Sequence, residues 1–135
     1  MQKKGTVAPA KVNGRSLVLL LHDQEVKDWR SAVLIPHHGP LRDRADPDSP
    51  AHRSGNPPTY EAIRTRTSVY VEYATGEKVY HDLLTDPHEL RNTFPSLTSE
   101  ERMRLHVVLD AIKNCHDAKT CQAAERANFN TMKNR

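Results

Sequence analysis

Cys115 and His116 are adjacent, and Cys121 follows six residues later. A thiol beside an imidazole is one route to a reactive thiolate. Cysteine and histidine together are also zinc ligands. The same spacing suits a disulfide, which over so short a loop contributes about 2 kcal/mol by the chain-entropy argument. Three readings therefore stand: a structural bridge, a zinc site that recruits His106 or His116, and free thiols. The bridge is preferred, and it points to an oxidising compartment. Cys121 and Arg126 are five positions apart, one short of a cysteine-phosphatase loop.

His37-His38 is the one adjacent histidine pair among eight histidines. It lies just past a predicted strand, where loops often carry binding residues. Neighbouring side chains at a strand end point to opposite sides, so one histidine can face a pocket and the other solvent. The plain alternative is a surface pair with no role, and only the distant His52 is on offer as a further metal ligand. Arg42, Arg44, Arg53, Arg64 and Arg66 could form a basic patch for phosphate, sulfate or nucleic acid. Base stacking needs exposed aromatics, and this stretch offers only Tyr60, so a solvated face is the preferred reading. No Gly-rich phosphate loop, G-x-S-x-G or H-E-x-x-H is present. The residues alone show no catalytic constellation.

The elements that must position these groups are few. The chain has 135 residues, 36% of them hydrophobic and 5% aromatic, below the usual apolar share of a globular domain. It has room for one domain or a piece of a larger one, with some of its length in loop or tail. The net charge of +3 permits nucleic-acid contact without requiring it. The longest apolar run, Leu17 to Leu21, is far short of the ~20 residues of a membrane span. The opening MQKKGTVAPAKVNG has no apolar h-region, so it does not read as a secretory signal.

Residues 1–13 read as a loose lead-in, 14–121 as a compact subdomain, and 122–135 as a disordered tail. Ser16 can cap a short helix over Leu17–Leu21. Trp29 to Ile35 reads as a buried strand stopped by Pro36. Residues 37–58 hold five prolines and two glycines and read as a long surface loop. Tyr60–Thr65, Ser68–Tyr73 and Lys78–Leu83 follow as a β-meander, with Val69, Val71 and Tyr73 on one face and a turn at Gly76. Asp86-Pro87-His88-Glu89 has the form of a helix start, and Thr98-Ser99-Glu100-Glu101 opens a helix to about Asn114. Leu105, Val108, Leu109 and Ile112 recur at helical spacing, a stripe expected to face the sheet. The predicted fold class is α+β: an antiparallel sheet of about four strands against one long C-terminal helix.

In this order the segments resemble the C-terminal subdomain of the sulfatase family, above all N-acetylglucosamine-6-sulfatases and related bacterial arylsulfatases. The likeness is carried by Gly14-Arg15-Ser16-Leu17, the strand from Trp29 to Ile35, and Tyr60-Glu61-Ala62-Ile63-Arg64-Thr65. It continues in Tyr80, Asp82, Leu83, Asp86, Pro87, Glu89 and Asn92 of an E-x-Y-D-L-x-x-D-P-x-E-x-x-N stretch, and in the C-x5-C pair Cys115 and Cys121. It covers about residues 12 to 125. Departures are Asn13 for a common Asp, Leu19 for Pro, Pro36 for Glu, and His81 for Tyr or Asp.

The resemblance implies a fragment of a sulfuric ester hydrolase, with its chemistry elsewhere. The family's formylglycine arises from a C/S-x-P-x-R motif, and its calcium is held by Asp and Asn residues. Neither cysteine here begins such a motif, so no cofactor and no catalytic residue is expected in this chain. The resemblance makes His37 and His38 candidates for substrate-side contacts. It implies as partners the missing catalytic domain and a sulfated carbohydrate. Family members are typically secreted, periplasmic or lysosomal. A different reading is a stand-alone module that captures sulfated or other anionic polymers through its arginines. A nucleic-acid binder is disfavoured.

Overall fold

A computed structural model describes residues 14–27, 29–39 and 56–126. The expected lead-in 1–13, most of the long loop, Arg42, Arg44, His52 and Arg53, and the end of the expected tail lie outside the described residues. The chain divides into two compact units, one of Ala32–Leu105 and one of Met1–Ser31 with His106–Arg135.

The first unit is built on a four-stranded antiparallel sheet in the order β1-β2-β3-β4, with β1 Ala32–His37, β2 Tyr60–Thr65, β3 Ser68–Tyr73 and β4 Lys78–Asp82. The meander is as the alternation predicts. β1 begins three residues later than expected and runs through Pro36, which pairs in register with Glu61. Only an edge strand can accommodate a residue without an amide proton in this way, and β1 is an edge. The β2–β3 turn is fixed by Thr65, whose Oγ1 accepts from the amides of Thr67 at 3.1 Å and Ser68 at 2.8 Å. Gly76 takes φ +91° in the next turn, where its amide donates to the Tyr73 carbonyl at 2.9 Å. A side chain there would strain the backbone by about 1–2 kcal/mol.

Register partners share a face. Val33, Ile35 and His37 therefore lie on the same face as Tyr60, Ala62 and Arg64, with Val69, Val71, Tyr73, Val79 and His81 beyond them. Val33 and Ile35 are exposed on this face. The opposite face carries Ile63 and Tyr70, both almost fully buried. Tyr70 stacks on Phe94 with centroids 6.0 Å apart, and the Arg102 guanidinium lies 5.1 Å from the far ring's centroid.

The Asp86 segment is not a helix start. Glu89 has φ +56°, and its amide donates to the Asp86 carbonyl at 3.1 Å, so the chain reverses in a turn. The Asp86 carboxylate accepts from the amides of Leu90 at 3.1 Å and Arg91 at 2.8 Å. A capping carboxylate would instead take amides two or three residues on. The turn delivers Asn92 to the open edge of β4. There its Oδ1 accepts from the Tyr80 amide at 3.1 Å, and its Nδ2 donates to the Lys78 carbonyl at 3.0 Å. Thr93 adds a backbone bond to the Tyr80 carbonyl at 2.9 Å. The motif thus stops the sheet at β4 and satisfies an edge that would otherwise be open to pairing.

The Arg91 and Leu90 amides, with His81 at 3.6 Å adding a smaller push, hold the Asp86 carboxyl below its ordinary range. A depressed folded value gives stability that is fully present above the unfolded value of about 4. That stability is lost as pH falls through the folded value. The urea midpoint is therefore expected to drop as pH falls below about 5, and to drop less steeply in Asp86→Asn. Superimposable pH profiles of the two proteins would refute the assignment.

The helix predicted from Thr98 forms as α2, Ser99–Lys113, which begins in the sheet unit and ends in the other. Its capping box is complete: the Thr98 amide donates to Glu101 Oε2 at 2.8 Å, and the Glu101 amide donates to Thr98 Oγ1 at 3.2 Å. The predicted stripe of Leu105, Val108, Leu109 and Ile112 is buried.

The second unit also contains α1, Val18–Leu21, and α3, Ala118–Arg126. Leu17 occupies the N-cap position of α1, while Ser16 Oγ accepts from the Val18 amide at 3.3 Å. Leu17 to Leu21 are all exposed. α3 extends five residues into the stretch expected to be disordered. Asp117 opens it, its Oδ1 accepting from the Thr120 amide at 2.7 Å and the Thr120 hydroxyl at 2.8 Å. These bonds hold the Asp117 carboxyl below its usual range. The helix survives with little apolar surface because Glu125 is buried at 4% exposure and paired. Its Oε2 lies 2.7 Å from Arg15 Nη2, its Oε1 lies 3.9 Å from Arg30 Nε, and its carbonyl accepts from Ser31 Oγ at 2.9 Å.

Candidate functional site

The end of β1 brings His37 beside Tyr60 on one sheet face. Their rings stack with centroids 5.1 Å apart and planes at 23°. Tyr60 in turn meets Tyr73 edge-on at 5.4 Å. The three residues come from adjacent strands at matched register, so the antiparallel pairing itself assembles the row. His37 Nε2 is shielded from solvent, with no hydrogen-bond partner among the described residues.

His38 is exposed. Directly after it, the Gly39 amide donates to Thr59 Oγ1 at 2.9 Å, and the Thr59 carbonyl accepts from the Ala74 amide at 2.8 Å. The two ends of the long loop are thereby tied together at the sheet. His37 thus packs on Tyr60 at the strand end, while the His38 side chain is open to solvent. The sequence placed both histidines as candidates. It did not show Tyr60, Tyr73 and Thr59 as their supports, although the hairpin register would have done so.

Two of the five patch arginines lie among the described residues. Arg64 is ion-paired with Glu89 at 2.7 Å, Arg66 is exposed at the β2–β3 turn, and the remaining three lie outside the described residues. Cys115 and Cys121 are joined by a disulfide, which replaces the zinc and free-thiol alternatives. No group of three His, Cys, Asp or Glu side chains among the described residues is placed to hold a metal.

No family model matches the chain. Its fold is similar to that of BT4656, solved in complex with its substrate D-glucosamine-2-N,6-O-disulfate, with a TM-score of 0.59 and 22% identity. The likeness covers 84% of this chain and 23% of that chain. The chain therefore shares its α+β fold with part of that protein, and it spans less than a quarter of that protein's length.

Proposed function

We propose that this chain corresponds to the C-terminal part of a sulfatase, outside the catalytic half, with His37 and His38 on the substrate side. The observation that supports this reading is the lopsided structural match, most of this chain against a small share of a protein with a sulfated-sugar substrate. The absence of a C/S-x-P-x-R sequence agrees with it. The chain completes a pocket and does not cleave the ester itself. Its natural partner is the larger catalytic domain, which supplies the nucleophile and the metal. The exposed Val33 and Ile35 fit a sheet face that such a domain would cover.

The test has two arms. The isolated chain is incubated with 4-nitrophenyl sulfate and glucosamine 6-sulfate in calcium, and the DNA upstream of Met1 is translated in all three forward frames. The expected outcome is no turnover above buffer, with an upstream C/S-x-P-x-R motif leading into this sequence. Turnover by the chain alone would overturn the reading. So would unrelated upstream sequence together with salt-sensitive heparin retention that is lost when Arg42, Arg44 and Arg53 are replaced by Ala.

A further inference from the structure

Cys121 and Glu125 lie one helical turn apart on α3, at 7% and 4% exposure, and so share a face of the helix. The disulfide fastens that face to Cys115, just beyond the end of α2. Glu125 fastens it to Arg15, Arg30 and Ser31. α3 has nine residues, fewer than the ~12–15 at which an isolated helix becomes even marginally stable in water. Its buried apolar side chains are Cys121 and Ala124 alone. The crosslink is thus a principal restraint on the helix that holds residues 14–31.

We propose that the Cys115–Cys121 disulfide is a redox-sensitive latch that keeps residues 14–31 docked through Glu125. The co-reactant is a small dithiol. One of its thiolates attacks Cys115 Sγ, in the less buried of the two residues, and Cys121 leaves as a thiolate. The second thiolate of the reductant then closes on its own mixed disulfide and releases Cys115. Two electrons pass to the protein, two cysteine thiols form once protonated, and the reductant ends as a cyclic disulfide. α3 then loosens, Glu125 parts from the two arginines, and the segment bearing the exposed Leu17–Leu21 is freed.

Hydrogen exchange read by mass spectrometry on the full chain tests it, comparing the oxidised protein with protein reduced by dithiothreitol and verified by thiol titration. Exchange in peptides spanning 14–31 and 118–126 is expected to rise on the order of tenfold or more on reduction. Peptides from β2 and β3 should change little. Oxidised Glu125→Gln should reproduce the rise in 14–31 with the disulfide intact. Unchanged exchange of 14–31 after complete reduction overturns the proposal. An equal rise in β2 and β3 overturns it as well, because that is global destabilisation. A silent Glu125→Gln overturns the route through the carboxylate.

Discussion

Tyr70→Ala is expected to cost about 3–5 kcal/mol of folding stability, the range for removing a large buried ring. Tyr70 is 1% exposed, and the vacated space would lie beside Phe94, whose ring would lose its stacking partner. The phenol also donates to Glu72. Burial first, and then that bond to the carboxylate, push its ionisation well above the usual tyrosine range. For a small domain with about 5–15 kcal/mol in hand, such a loss leaves little margin. The thermal midpoint should fall by at least about 10 °C. Tyr70→Phe separates the two contributions, since it keeps the ring and should cost only about 1 kcal/mol. Far-UV circular dichroism melts of the three proteins check the ranking. A Phe variant as damaged as the Ala variant would show that the hydroxyl matters more than the packing.

Glu125→Ala is expected to destabilise the other unit by about 2–4 kcal/mol, because it removes a buried carboxylate that pairs with two partly buried guanidinium groups. The carboxylate is nearly inaccessible, while Arg15 and Arg30 retain 19% and 31% side-chain exposure, so part of their solvation is recovered and the loss sits below the extreme for a sealed pair. Trp29 is the single tryptophan and neighbours Arg30, so its fluorescence follows this unit during urea unfolding. An earlier Trp29 transition is expected in Glu125→Ala, with the Tyr70 variant shifting circular dichroism more. A Trp29 transition unmoved by Glu125→Ala would show that the carboxylate does not hold the segment.

Most of the sheet was legible because its rules are local. Tyr60–Thr65 and Ser68–Tyr73 alternate and are bounded by turn residues, and both strands form over those residues. Thr98 and Glu101 cap α2 for the same reason, since both partners sit within one turn. Pro36 misled because edge position is a property of the sheet: the proline would end a central strand and is harmless at β1. Asp86-Pro87-His88-Glu89 misled because its residue types serve a turn as readily as a cap. The left-handed Glu89 settles between them, and Asn92 gains its meaning only when β4 lies beside it.

The candidate site shows the same division. His37 and His38 stood out by type and by their place after an apolar strand. That His37 is stacked on Tyr60 depends on a register set across residues that are distant in the chain. Composition and periodicity alone established the α+β class, the meander and the buried stripe of α2, because each depends on neighbours within a few positions. The reach of α3 to Arg126 and the burial of Glu125 required the folded chain. A charged residue in a polar stretch reads as solvent-facing until its partner is known, and Arg15 lies 110 positions away.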